Sequence, residues 1–245
     1  LTPSTWEKYV SMREEFVAYL NSEDEASIVT TAPVKALRLS QICSGFLGGL
    51  YANEDDEQTI TVEISSELTD AFLDNFEFRL SQDPNFRLIT WCRFRPEIAR
   101  LERRMRERFP NVQTKVLWGG LSKTAKEEAK FLFHPDSTDF EGPALLIGQP
   151  QAGRFGSNFT KASNADYLSN DHSLLTRLQS EDRIHRPGQR FQVLLQDYVV
   201  VGPNRERTVS GMILKNLRKN QDFAEWTCSR WVEEIMQEES DDVPF

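Results

Sequence analysis

In the segment QSEDRIHRPGQ, Gln179 to Gln189, and the residue after it, four basic side chains (Arg183, His185, Arg186 and Arg190) crowd into a chain whose acids outnumber its bases, 38 to 29. On a helix turning 100° per residue, Arg183 lies about 40° from Gln179 and Arg186 about 20° to the other side, so the three share one narrow stripe. Pro187 disfavours helical geometry at Arg186 and Gly188 permits a sharp turn. The two guanidiniums are therefore expected in the last turn of a helix over 172–186, able to reach out of the domain, with Leu174, Leu175 and Leu178 holding that helix on its support. Cations there could simply cap the helix, where the dipole contributes about 0.3–1 kcal/mol. Capping leaves Gln179 and the preceding loop, QAGRFGSNFT (Gln151–Thr160), unexplained. Gly153 and Gly156 allow backbone N–H groups to approach phosphate oxygens, and Asn158 and Thr160 add short polar side chains. The chemistry suggested is the binding of an anion.

These groups need a frame. Residues 4–20 read as a helix, with Ser4 as cap and Glu7 completing a capping box. Further helices are expected over 34–46, ended by Gly45, Gly48 and Gly49, and over 65–80, capped by Ser65 or Ser66. Residues 51–63 read as a solvated turn and a short strand, with Glu54–Glu57 an exposed acidic loop. From residue 86 short apolar runs alternate with helical patterns. Strands over 87–92, 113–118, 143–148, 165–169 and 191–201 enclose helices from Pro96 to Phe109, over 123–133 and over 172–186. Helices over 206–219 and 221–237 close the chain. Such alternation predicts an α/β fold, a parallel sheet covered on both faces. On such sheets ligands bind beyond the carboxyl ends of the strands, which singles out the loops after Cys92, Trp118, Gly148 and Ser169.

The composition narrows the partners. With 245 residues and a net charge of −9, the chain is not a protein that coats nucleic acid by bulk electrostatics. Any nucleic-acid contact must be local. No run of about 18 apolar residues suggests a membrane span. Cys43, Cys92 and Cys228 and the three histidines are scattered, so no metal site is expected and the thiols suit a reducing, cytoplasmic setting. The arginine-rich stretch Glu97–Arg108 reads as a solvated helix with Glu–Arg pairs rather than a DNA face.

Two motifs resemble those of one family. AGRFGSNFT is similar to the fifth motif of Swi/Snf-like superfamily-two helicases, Ala-Gly-Gly-x-Gly-x-Asn-x-Thr. QSEDRIHRPGQ resembles their sixth, Gln-x-x-x-Arg-x-x-Arg-x-Gly-Gln, with Asp182, His185, Gly188 and Gln189 in register. RLITWCRF (87–94) resembles the fourth-motif strand, and WGGLSKTAKEEAKFLF (118–133) the segment after it. VKALRLSQICSGFL (34–47) and TVSGMILKNLRKNQDFAEW (208–226) resemble the helices that lead into and close the lobe. YLSNDHSLLTRLQSEDR most resembles the phage and bacterial branch. Arg154 stands where the family has a second glycine, Ser169 where the eukaryotic remodellers have an aspartate, and Glu127 or Glu128 near a usual arginine.

The resemblance implies a RecA-like C-terminal lobe with an N-terminal helical extension. The expected divisions are a lead-in over 1–85, the lobe over 86–205, a closing helix pair over 206–238 and an acidic tail over 239–245. It implies Arg183 and Arg186 as arginine fingers with Gln179 orienting them, a role that supplies about 10³–10⁵ in rate. Gly153, Gly156, Gly188 and Gln189 would contact nucleotide. Arg93, Asn158, Thr160, Gly119, Gly120 and Ser122 would contact DNA, mostly at phosphate. The implied partners are double-stranded DNA and an N-terminal RecA-like lobe of the same protein. The implied cofactor is ATP with Mg²⁺, held mainly by that first lobe. No G-x-x-x-x-G-K-[ST] loop and no acidic metal-binding motif occur in the sequence. The expectation is thus the second lobe of a split motor, a phage or bacterial cytoplasmic protein, inactive as an ATPase by itself. The competing expectations are a non-hydrolytic RecA-like binding module and half of another nucleotide-binding α/β enzyme, such as a glycosyltransferase.

Overall fold

The computed structural model describes residues 1–22, 25–48, 61–137, 142–153 and 157–219. In chain order the elements are α1 (Pro3–Ser22), α2 (Glu25–Cys43), β1 (Phe46–Gly48), β2 (Thr61–Glu63), α3 (Glu67–Gln82), β3 (Arg87–Trp91) and α4 (Arg95–Arg108). These are followed by β4 (Gln113–Leu117), α5 (Lys123–Phe131), β5 (Ala144–Gly148), a 3-10 turn (Pro150–Gly153), β6 (Asn164–Tyr167), α6 (Leu174–Glu181), β7 (Leu194–Asp197) and α7 (Val209–Arg218). The expected helix over 221–237, the acidic tail, the loop Glu54–Glu57, Gly49, Cys228, Arg154 and Gly156 lie outside the described residues. Among the described residues no helix is long and apolar enough to cross a membrane.

The chain divides into two compact units, residues 66–199 and residues 1–65 together with those from Val200 on. In the latter, α1 opens with Pro3 in its first turn, where a missing N–H costs nothing. Thr2, not Ser4, is its cap: Thr2 Oγ1 accepts from Thr5 N at 3.4 Å and Thr2 O from Trp6 N at 2.8 Å. α2 begins at Glu25, nine residues before the expected start, because the helix runs through Pro33, which in sequence reads as a start signal. Buried Tyr9 ties α1 to α7 by accepting from Val209 N at 2.8 Å. Thr208 Oγ1 donates to Val200 O at 2.5 Å.

The other unit is built on a five-stranded sheet, ordered β4-β5-β3-β6-β7, with every pairing parallel. Central strands β3 and β5 are apolar along nearly their whole length, as strands covered on both faces must be. The order makes the chain double back: β3 to β4 crosses one way over β5, and the later connections run the other way. Right-handed crossovers then place helices on opposite faces. Phe72, Leu73 and Phe76 of α3 and Ile98, Leu101 and Met105 of α4 pack with Leu88 and Leu145. Ala129 of α5, Phe159 and Ile184 pack on the other face with Ile89, Trp91 and Leu146. The boundary expected at residue 85 therefore falls at Ser65–Ser66, since α3 belongs to the sheet's own core. Arg79 of α3 reaches β6, where Nη1 donates to both oxygens of Asp166 at 2.8 Å. Ser66 does occupy the cap position of α3, but its hydroxyl donates to the side chain of Asp70, Oδ2 at 2.6 Å, and accepts from no backbone N–H of the helix.

Candidate functional site

The helix expected over 172–186 is shorter. α6 covers Leu174–Glu181, and the chain beyond it turns without continuing the 100° spacing. The single stripe through Gln179, Arg183 and Arg186 is thereby broken. Arg183 is buried, 4% exposed, whereas Arg186 is exposed and its Nε donates to Asp182 O at 3.0 Å. Among the described residues the two terminal nitrogens of Arg186 make no hydrogen bond, so its fork is open to an outside oxyanion. Arg183 is near Lys130; burial first, and then the Arg183 charge, push the Lys130 ammonium below its usual pKa. Gln179 is half-buried on α6.

Of the leucines expected to hold α6 down, Leu174 is half-buried and the other two are not covered. Leu175 is 53% and Leu178 46% exposed, while Thr176 and Ser180 are buried. The sheet presents a polar partner there, Tyr167, whose hydroxyl lies 2.7 Å from Ser180 Oγ. The polar face of the helix turns inward to meet it.

After α6 the chain is tied to the start of β6. Phe159 N donates to Arg183 O at 2.9 Å, and Leu194 N donates to Ser163 O at 2.8 Å. Gln189 is the clasp. Its Nε2 donates to Ala162 O at 2.8 Å and Ile184 O at 3.2 Å, and its Oε1 accepts from Arg190 N and Phe191 N at 2.9 and 3.1 Å. Its amide is thus spent on the fold. Gly188, at φ +100°, takes the left-handed conformation the turn requires, with open space around its Cα. Thr160 is buried, and Asn158 Oδ1 accepts from Thr160 N at 3.2 Å. All of these residues lie at the amino ends of β6 and β7, opposite to where sheet topology placed the informative loops. Gly153, by contrast, closes the 3-10 turn just after the carboxyl end of β5.

The remaining expected residues gather at the carboxyl ends. Arg93 follows β3, half-buried. Its N–H donates to Ser169 Oγ at 2.7 Å, its carbonyl accepts from Gln149 Nε2 at 2.9 Å, and its guanidinium lies over the Phe94 ring with Nη1 at 3.2 Å from His172 Nε2. Burial pulls its pKa down, opposed by Asp171 and Glu97. The same burial, with Arg93 beside it, lowers His172 to about 3, so the imidazole is neutral and its Nε2 accepts from Arg93. Gly119 and Gly120 follow β4, both exposed, and the carbonyl of Gly119 accepts from Lys126 Nζ at 2.6 Å. Ser122 caps α5, accepting from Ala125 N at 3.2 Å.

Sequence reasoning passed over the polar hub at this edge. Arg177 lies 3.4 Å over the Tyr167 ring and donates to Asp197 Oδ1 and Glu181 Oε1, each at 2.5 Å, and to Asn170 Oδ1 at 2.9 Å. It fastens the loop after β6 to α6 and β7. Buried Glu97 accepts from Ser169 Oγ at 2.5 Å. The i, i+4 spacing of Arg177 and Glu181 was the one legible signal; Asp197 and Asn170 are brought in only by the sheet.

No protein-family model and no curated protein matches this sequence. Solved structures do. The Sulfolobus solfataricus SWI2/SNF2 ATPase core domain is similar over 100% of this chain and 48% of its own, with a TM-score of 0.66 and 19% identity. The C-terminal domain of the Sulfolobus ATPase is similar over 97% of this chain and 93% of its own, at 0.63 and 17%. The core in complex with dsDNA gives 0.60 and 16%, over 98% of this chain and 46% of that one. The chain thus spans about half the length of the core structures and nearly all of the C-terminal domain. At these identities the likeness establishes the fold: a RecA-like lobe, a parallel sheet flanked by helices, similar to SWI2/SNF2 ATPase C-terminal domains.

Proposed function

We propose that this chain is the second motor lobe of an ATP-dependent DNA helicase or translocase of the Swi/Snf-like group, from its phage or bacterial branch. The observation that carries the reading is Arg186. A helicase-lobe fold holds a guanidinium in solvent at the turn whose sequence resembles the sixth motif, with its terminal nitrogens open. A planar, permanently charged fork suits phosphate oxygens whose charge shifts during transfer. Arg186 is therefore the arginine finger of this reading. Arg183, buried near Lys130, positions the turn, and Gln189 keeps it closed. ATP with Mg²⁺ would be held mainly by an N-terminal RecA-like lobe, and duplex DNA is the track, as the dsDNA complex of the Sulfolobus relative suggests.

The test uses a protein containing both lobes. Arg186→Ala is expected to lower DNA-stimulated ATP hydrolysis by about 10³-fold or more while DNA binding is kept. The chain alone is expected to bind ATP weakly and hydrolyse none; turnover by this chain alone contradicts the reading. A second reading, a RecA-like lobe kept as a non-hydrolytic binding platform, draws on the burial of Arg183, which removes one of the two guanidiniums from any cleft. It predicts that Arg186→Ala changes neither hydrolysis nor DNA binding.

A further inference from the structure

Four of the arginines of α4 stand in two kinds of surroundings. Towards its carboxyl end Arg104, Arg106 and Arg108 each meet a carboxylate: Asp70 at 2.6 Å, Glu102 at 2.6 Å, and Asp74 at 2.8 Å with Glu77 beside it. Arg95, the first residue of the helix, is exposed and meets none among the described residues. Its guanidinium instead sits over the indole of Trp118, 3.9 Å from the ring centroid. The indole is seated in turn on Gly120, where a Cβ would come within 2.0 Å of the ring. Gly120 thus serves Trp118, and Trp118 holds the guanidinium of Arg95, a residue exposed to solvent.

The position is unfavourable for a cation on structural grounds alone. The amino end of a helix carries the positive end of its dipole, and an arginine in the first turn adds like charge to it. α4 also lacks a side-chain cap, and its first-turn acid, Glu97, is buried against Ser169; α5 opens beyond the neighbouring strand with Lys123, 3.9 Å from Glu127, and no acid in its first turn. Lys126 is drawn to the same loop through Gly119 O. β4 and β3 flank β5, so these cations span about two strand spacings, roughly 10 Å. Duplex DNA presents one negative charge per about 1.7 Å of its axis, so an edge of that width meets several phosphates.

We infer that Arg95, stacked on Trp118 above Gly120, is a preformed contact for the phosphodiester backbone of DNA. The inference rests on the reading of the lobe as DNA-tracking and names a contact that the motifs do not contain. A stacked fork offers bidentate hydrogen bonds to a phosphate without first losing side-chain freedom.

The test is fluorescence anisotropy of a short labelled duplex with this chain at low salt. Arg95→Ala is expected to weaken binding by about 3–10-fold and to reduce the salt slope by about 0.9, the share of one phosphate contact. Arg95→Lys should recover only part, because the planar fork is lost, and Gly120→Ala should imitate Arg95→Ala by displacing the indole. Arg108→Ala, which removes the same charge from an ion-paired site on the same helix, should leave binding within about twofold. Arg95 is exposed, so its replacement leaves the fold intact, and circular dichroism verifies this. Equal effects of Arg95→Ala and Arg108→Ala, or no duplex binding at low salt, would overturn the inference. So would Arg95-dependent binding of ATP or of polyglutamate with none of duplex, which would move the site to a nucleotide or to an acidic protein. Arg95-dependent duplex binding without DNA-stimulated hydrolysis in the two-lobed protein would keep this contact and remove the motor.

Discussion

Arg183 and Arg186, three residues apart, end in opposite environments: the first is 4% exposed near Lys130, the second in solvent with its Nε on the carbonyl of Asp182. A continuous helix would have set them side by side. The end of α6 at Glu181 separates a residue that builds the lobe from one that can act outside it.

That separation is measurable in the isolated chain. Arg183→Met is expected to lower the unfolding free energy by about 1–3 kcal/mol, while Arg186→Ala stays within about 0.5 kcal/mol. Urea denaturation gives both values. Equal losses would mean that the two arginines are equivalent after all.

The pair Arg79–Asp166 places another buried charge in the fold. The Asp166 side chain is 1% and that of Arg79 12% exposed, and Tyr198 Oη adds a weaker contact to the carboxylate at 3.4 Å. Burial raises the Asp166 pKa, and Arg79 opposes that rise. Asp166→Asn removes the counter-charge of a desolvated guanidinium, and the expected loss is about 3–5 kcal/mol. Replacing both residues by apolar ones should cost less than the sum of the single changes, and a double-mutant cycle reads the difference.

Gln189 closes the turn with four hydrogen bonds. Gln189→Ala leaves those backbone groups to find water, at about 1–3 kcal/mol. Amide hydrogen exchange should quicken first at Arg190 and Phe191. Unchanged protection there would assign the clasp to other groups.

His172 makes stability depend on pH. Its folded pKa, about 3, lies below the ordinary 6.5 because burial and Arg93 disfavour the imidazolium. Between those values the unfolded chain binds a proton that the folded chain refuses. The neutral-imidazole contribution is therefore fully present above about pH 6.5 and is lost progressively as pH falls towards about 3. His172→Gln should flatten that part of the stability profile. An unchanged slope would place the proton uptake on another group.

Much of the frame was legible in the chain itself. The short apolar runs at 87–92 and 143–148 are central parallel strands because both faces are covered, and that demand is written locally into each run. The same holds for Gly188, whose positive φ a Pro-Gly turn requires, and in part for α4, where Glu102 and Arg106 form an expected pair but Glu97 is buried and Arg104 and Arg108 turn to the acids of α3. Wherever a residue's role depends on what another element presents to it, the sequence was silent or misleading. Leu175 and Leu178 carry an apolar signal, yet Tyr167 on β6 draws the polar face of α6 inward. Gly120, named only by the family resemblance, is the seat of Trp118, which its own position in the chain did not announce. Gln189, a nucleotide-facing residue by its motif, is consumed by carbonyls that lie 27 and 5 positions away. Periodicity and turn chemistry are local and survive in one dimension. The partner of a buried polar group is chosen by strand order and helix length, and those exist only once the sheet has formed.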